Sequence, residues 1–173
     1  MRRRALLGAV LLVPLDGLAQ TCGRLTPRQT EGPFFKTDTP KRISLLEPRS
    51  RGNRLILTGV VLSPDCRPVA NALLDFWHAD EEGAYDNTGF RYRGHQFTDA
   101  QGRYRLETIV PAHYPGRTRH IHVKAQAPGR RVLTTQIYFP GDPANARDFL
   151  YQPELAMKMP GRGEGTFDFV IDA

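Results

Sequence analysis

Short hydrophobic runs separated by turn residues make up most of the chain after residue 53. Residues 54–62 are rich in Leu, Ile and Val and end at a Ser-Pro-Asp sequence, which is a strong turn signal. Residues 72–78 and 103–109 alternate between apolar and polar positions, which is the pattern of a half-buried strand. Further strands are predicted at 120–127, 132–139 and 166–171, and a short helical turn at 145–150.

Strands at roughly ten-residue spacing, without a strong helical period, predict an all-β fold. We expect a β-sandwich of short, mostly antiparallel strands with long functional loops, formed by residues 54–173. Residues 20–53 are rich in Pro, Gly and Thr and predict an irregular N-terminal arm, pinned by Phe34 and Phe35. The 173 residues suffice for one domain with a core and are too few for two ordinary domains.

The N-terminal residues have the pattern of an export signal. Three arginines at 2–4 precede an apolar run at 5–15, and small residues follow at the usual cleavage positions. The apolar run is shorter than the roughly 20 residues that span a bilayer. Residues 1–19 therefore predict export to the periplasm or beyond, and the arginine pair also fits the twin-arginine route. The alternative is an uncleaved N-terminal anchor.

Charge and cysteine content bear on two further points, nucleic-acid binding and disulfide bonding. The net charge of +6 comes mostly from scattered arginines, without a basic run or a nucleic-acid motif, so no nucleic-acid partner is expected. Cys22 and Cys66 are the two cysteines. An even count in an exported protein predicts one disulfide between them, which would tie the arm to a turn between two strands. The alternative is two free thiols.

The spacing of His120 and His122 is the first candidate for chemistry. In a strand, residues i and i+2 face the same side, so both imidazoles project together while Ile121 and Val123 face the other way. Two imidazoles on one face make a pair of metal ligands. The alternative is two polar residues on the exposed face of an edge strand.

Five segments between residues 27 and 143 carry a more specific signal because of the order in which they occur. They are Thr30-Glu31-Gly32-Pro33-Phe34-Phe35, Trp77-His78-Ala79-Asp80 with Gly83 and Tyr85, Arg93-Gly94 with the turn that follows, Tyr114 with Arg117 and His120-Ile121-His122, and Thr134-Thr135-Gln136-Ile137-Tyr138-Phe139-Pro140-Gly141-Asp142. In this order they resemble the intradiol ring-cleavage dioxygenases, which open catechol-type rings between the two hydroxylated carbons.

The resemblance implies a non-haem Fe(III) ion and a reaction of a small aromatic diol with O2 that gives a muconate-type diacid. It implies that Tyr114 is the ligand displaced by substrate, that Arg117 is the active-site arginine and that Gln136 lines the substrate pocket. Fe(III) is a hard cation that favours anionic oxygen, with neutral imidazole completing the set. The implied metal ligands are Tyr85, Tyr114, His120 and His122.

The remaining predictions concern three further histidines, one loop and the alternative functions. His78 beside Trp77 is expected to be structural, and His95 and His113 match no role in the family. The run between Tyr114 and His120 is short, which predicts a trimmed loop over the iron. The alternative functions are a non-catalytic binding module of transthyretin-like shape and a metal-bound structural protein of the cell envelope. The sequence leaves a homo-oligomer open.

Overall fold

Two packed β-sheets form the body of the protein. The computed structural model describes residues 23–173. The strands are β1 (Arg54–Leu62), β2 (Leu73–Trp77), β3 (Arg93–Phe97), β4 (Arg103–Ile109), β5 (His120–Gln126), β6 (Leu133–Tyr138), β7 (Lys158–Gly161), β8 (Glu164–Thr166) and β9 (Phe169–Val170), with short 3-10 helices at Pro143–Arg147 and Pro153–Leu155.

The strand pairing confirms the predicted all-β sandwich. One sheet has four antiparallel strands in the order β3-β2-β5-β6. The other has the order β4-β1-β8-β7, with β9 also paired to β1. β8 and β9 run parallel to β1, while the other pairs are antiparallel.

The structure differs from the predicted elements in several details. The prediction of one strand at 166–171 fails because the side chain of Asp168 accepts the hydrogen bond of the Val60 amide, 2.9 Å away, and interrupts the ladder between β8 and β9. The helical turn begins earlier than predicted, at Pro143, because Asp142 caps the amide of Ala144. Strand β3 was not predicted, because its polar sequence lacks the hydrophobic alternation of its neighbours.

Alternation along the strands gives the four-stranded sheet two buried faces. On the inner face, Ile121 and Val123 of β5 and Leu74 and Phe76 of β2 pack into the core against the second sheet. The other face, here called the outer face, carries the residues of opposite parity. It is buried near β5 as well, since His120 and His122 are each less than 5% exposed.

The arm covers part of this outer face. Within the described residues 23–53 it contains isolated bridges and no strand, as predicted. The start of the arm is fixed to two distant points, since the amide of Thr26 bonds the carbonyl of Val170 at 2.9 Å and that of Gln29 bonds the carbonyl of Thr134 at 2.8 Å. The prediction that the two phenylalanines pin the arm is borne out in their contacts, although they pack on the outer face and not in the sandwich core.

The predicted signal sequence and one cysteine lie outside the described residues. Cys66 is disulfide-bonded, and Cys22 belongs to the part of the chain that is not described, so their pairing stays a prediction. No helix in residues 23–173 has the length and apolar character needed to cross a bilayer.

His78 is a structural histidine, as predicted, and it makes the fold sensitive to acid. Its ring nitrogens contact the Ala79 carbonyl at 2.7 Å and the Thr108 hydroxyl at 2.6 Å. Complete burial lowers its pKa from 6.5 to about 4. Above pH 6.5 the ring is neutral in both the folded and the unfolded chain. Below it the unfolded chain takes up a proton first, so stability falls between pH 6.5 and 4.

We predict that replacing His78 with Gln flattens this acid dependence. The group contributes a loss on the order of 3 kcal/mol by pH 4. Urea unfolding of metal-free protein at pH 7.5 and 4.5 measures the effect. The variant should be less stable than wild type at pH 7.5 but should lose less on acidification. An equal loss in both proteins would show that His78 titrates normally.

Candidate active site

The outer face of the four-stranded sheet brings the candidate residues into register. His122 lies directly between Trp77 on β2 and Gln136 on β6, and His120 lies opposite Tyr138. The interpretation of the histidines as exposed residues on an edge strand is wrong, because β5 is an interior strand and both side chains are buried. The site is therefore built on the most constrained part of the sheet.

Three donor atoms come into contact above this face. Nε2 of His120 lies 3.2 Å from Nε2 of His122 and 3.2 Å from the hydroxyl of Tyr85. Neighbouring ligands of a first-row metal ion, with bond lengths of about 2.1 Å, stand about 3 Å apart. The spacing of the three atoms fits ligands of one shared ion.

Burial holds both imidazoles in the neutral form that binds metal. Burial and then the charge of Arg117 lower the pKa of His120 to about 4. The pKa of His122 is also lowered, by burial and then by His120. Nδ1 of His120 lies 2.6 Å from the carbonyl of Thr118. If Nδ1 donates there, Nε2 keeps its lone pair for coordination.

The residues present fit the ferric ion that the resemblance implies. Burial raises the pKa of Tyr85, with the charges of Arg117 and Arg93 opposing it. A metal ion at bonding distance reverses this preference and favours the phenolate. Within residues 23–173, no three His, Cys, Asp or Glu side chains form a metal-binding group. Phenolic oxygens would therefore have to complete the set, and such oxygens suit a hard cation.

The loop that carries Tyr85 is fixed by backbone contacts. The carboxylate of Asp80 accepts the amides of Glu82 and Ala84 at 2.9 Å each. Gly83 has φ +85°, and a Cβ there would meet the carbonyl of His113 at 2.3 Å. Glycine thus allows the Tyr85 loop to lie directly against the segment that carries Tyr114.

Tyr114 joins the site through ring contacts. Its centroid lies 5.8 Å from that of Tyr85 and 5.3 Å from that of Phe34, both edge-on. Phe34 in turn stacks on Tyr85 at 4.4 Å. Tyr114 is half-buried, whereas the two histidines are buried. It therefore lies on the more accessible side of the three donor atoms.

Arg117 and Gln136, which the resemblance separately implies at the site, contact each other in the structure. Nη2 of Arg117 donates to Oε1 of Gln136 at 2.7 Å, and Nε donates to Oδ2 of Asp148 at 2.9 Å. The same carboxylate oxygen accepts the amide of Thr118 at 2.8 Å. Since the Thr118 carbonyl contacts His120, Asp148 supports the arginine and one histidine together.

The arm covers the side chain of His122. Gly32 has φ +71°, and a Cβ at this position would lie 3.4 Å from Cε1 of His122. Glu31 forms an ion pair with Lys124, two residues beyond His122 on β5. On the other side, Trp77 stacks on His122 at 4.8 Å with an interplanar angle of 7°. His122 is thus enclosed by the arm above and an indole beside it.

Several supporting residues were not predicted. Asp148 follows the 3-10 helix in a polar stretch, where no sequence pattern marks a buried carboxylate. Tyr138 shares the parity of Gln136 on β6, so alternation could have placed it on the outer face. Its hydroxyl contacts Gln29, Gln136 and the carbonyl of Leu150. His113 and His95, for which no role was predicted, bond Asp142 and Thr39 respectively.

Comparisons with known proteins identify relatives of this chain. The family model described as Dioxygenase matches residues 30–171. Catechol 1,2-dioxygenase of Acinetobacter baylyi is 35% identical over 155 residues, which cover 73% of this chain and 50% of that protein. The protocatechuate 3,4-dioxygenase beta chain of Burkholderia cepacia is 39% identical over 126 residues, covering 61% of this chain and 53% of that one.

A solved structure is similar over a larger share of its length. It is the dioxygenase domain of a dioxygenase carbohydrate-binding protein fusion from Streptomyces sp. SirexAA-E, with a TM-score of 0.83 and 58% identity. The alignment covers 87% of this chain and 99% of that domain. By contrast, this chain spans about half the length of the curated relatives named above. The extent of the family match and these identities show that the chain belongs to the intradiol ring-cleavage dioxygenase family.

Proposed function

We propose that this protein is a non-haem Fe(III) enzyme that cleaves a catechol- or hydroxyquinol-type ring with O2 to give a muconate-type diacid. The observation that carries the proposal is the mutual contact of the Tyr85 hydroxyl with Nε2 of His120 and, through it, Nε2 of His122. Family membership supports the same chemistry. The similarity to the Streptomyces dioxygenase domain, at 58% identity over 99% of that domain, supports it further.

The ion and the ligand set divide the work between them. When bound, Fe(III) would act as a Lewis acid that withdraws electron density from the diol and so makes its ring reactive toward dioxygen. Tyr85, His120 and His122 would hold the ion on the rigid outer face. Tyr114, on the more accessible side, would leave to admit the diol, and its Oη would hold one of the two diol protons.

Arg117 would stabilise negative charge on the ring. Its Nε and Nη2 are fixed by Asp148 and Gln136. Within the described residues Nη1 makes no hydrogen bond, so it remains available to a substrate oxygen. A guanidinium that is held in place before substrate arrives needs no reorganisation as charge develops, which makes it effective in stabilising that charge.

The overall reaction needs no further reductant. Dioxygen takes up electrons from the ring, and both of its oxygen atoms enter the product.

The first test combines absorption with oxygen uptake. Purified protein, loaded with iron, should show a visible band from charge transfer between tyrosinate and Fe(III). Catechol added without oxygen should shift the band to longer wavelength, and admission of oxygen should consume one O2 per ring opened. A protein that stays colourless after incubation with ferric or ferrous iron would favour the transthyretin-like binding module.

Substitution of a ligand makes this test specific to the site. His122→Ala should lose bound iron and the visible band, because it removes one of the two imidazoles. His95→Ala is the matched control, since His95 lies on the same outer face and the hydrogen bonds of its side chain, within residues 23–173, are to the arm residue Thr39. Wild-type iron content in His122→Ala would defeat the assignment of the ligands.

Replacing Asp148 with Asn should reduce turnover more than iron binding. The amide removes the charge partner of Arg117, and its NH2 group must face either the two donors at Oδ2 or the amide of Leu150, which donates to Oδ1 at 2.9 Å. Misplacement of a positioned group typically costs about 100-fold in rate. We expect kcat to fall by about that factor, with the iron band unchanged in wavelength. Asp172→Asn, exposed near the C-terminus, is the control. An unchanged kcat would remove Asp148 from the account of Arg117.

Export is a second part of the proposal. The arginines and apolar run of residues 1–19 support it, and so does the disulfide at Cys66, because disulfides persist in oxidising compartments. Expressed with its own N-terminus in a Gram-negative host, the protein should appear in the periplasmic fraction. Its mass should be that of a chain that begins at Gln20. Full-length protein confined to the cytoplasm would contradict export.

A further inference from the structure

Arg93 is a buried arginine whose position the ligand set does not explain. It lies on β3 directly opposite Trp77, which is itself opposite His122, so the three residues form one row across the outer face. Arg93 is 1% exposed. Arginine is almost never fully buried unless its charge is paired, so its contacts should reveal what keeps it there.

The guanidinium of Arg93 bonds two backbone carbonyls. Nε donates to the carbonyl of Asp86 at 3.0 Å, and Nη1 donates to the carbonyl of Phe34 at 2.6 Å. Asp86 is the residue directly after Tyr85, and Phe34 is the residue whose ring stacks on Tyr85 at 4.4 Å with an interplanar angle of 13°. One side chain therefore bonds the backbone next to Tyr85 and the backbone of the residue whose ring packs against Tyr85.

Charge pairing does not account for this arrangement. The carboxylate of Asp86 accepts the amides of Thr88, Gly89 and Arg91 and is directed into its own loop. Among residues 23–173, no carboxylate forms an ion pair with Arg93, and its Nη2 is buried without a hydrogen-bond partner. Burying a guanidinium with only neutral acceptors is costly. The planar guanidinium can donate to two carbonyls in fixed directions, and this geometry accounts for an arginine at this position.

We propose that Arg93 is a positioning residue for Tyr85, which it holds against Phe34 by joining the arm to the Tyr85 loop. The inference deepens the proposed function and rests on it for the role of Tyr85 as an iron ligand. The arm and the loop are 51 residues apart in sequence, from Phe34 to Tyr85, and β3 supplies the connection between them. Without this connection, Tyr85 would depend on ring stacking and on its own loop.

Two substitutions separate positioning from charge. Arg93→Met keeps the apolar stem and removes all donors. Arg93→Lys keeps the charge but provides a single ammonium that cannot replace the two-pronged contact. Arg105→Met, which removes an exposed arginine paired with Glu107, is the control. Circular dichroism and thermal unfolding identify any variant that fails to fold.

The readouts are iron affinity by competition with a chelator, the wavelength of the visible band, and crystal structures of the metal-free proteins. We expect Arg93→Met to bind iron about 10-fold more weakly or worse, the range for loss of a group that orients a ligand, with a shifted band. Arg93→Lys should be intermediate, and Arg105→Met should match wild type. In metal-free Arg93→Met crystals, Tyr85 should leave its stacked position on Phe34.

The outcomes distinguish this inference from the proposed function. If Tyr85 and Phe34 keep their wild-type stacking in metal-free Arg93→Met, the positioning role is overturned whatever the iron result. Wild-type iron affinity in Arg93→Lys combined with weak binding in Arg93→Met would show that charge alone matters, and would also overturn it. A wild-type protein that binds no iron, with Tyr85 displaced in Arg93→Met, would defeat the iron proposal and leave the positioning of Tyr85 supported.

Discussion

The burial of two neutral imidazoles on one strand is the constraint on which the rest of the site depends. His120 and His122 lie on the face of the sheet that is turned away from the sandwich core. A sandwich leaves such a face to water unless another segment covers it. The irregular arm supplies the cover, and the loops of Tyr85 and Tyr114 complete it. The arm, the two loops and the aromatic contacts all follow from the need to enclose that face.

Two arginines, Arg117 and Arg93, place fixed positive charge on either side of the donor atoms. Arg117 is held from one side by Asp148 and Gln136, and Arg93 is held from the other by two carbonyls. Both guanidinium groups are largely buried, so solvent screens their charge less than at the surface. Their shared effect is to favour anionic oxygen within the site, which supports the proposed phenolic ligands and diol substrate.

Local patterns in the sequence were sufficient for part of this account. The alternation of apolar residues gave the sandwich and placed the two imidazoles on one face. The motif order placed Tyr85, Arg117 and Gln136 at the site. Strand β3 was not predicted, because arginine, glycine, histidine and glutamine carry no periodic apolar signal. Asp148 and Arg93 were not assigned roles for a different reason. Their partners lie 31 and 59 residues away at the furthest, and such contacts become visible only when the sheet register is known.

The anchoring of the arm has a consequence for the order in which the protein folds. The amide of Thr26, near the start of the described chain, bonds the carbonyl of Val170 in the last strand. During synthesis Thr26 leaves the ribosome long before Val170, so this contact cannot form until the last strand has been made. The sheet that carries His120 and His122 can assemble earlier, from residues already present. The bond that fixes Thr26 is therefore among the last native contacts to form, after the residues of the four-stranded sheet beneath the arm have all been made.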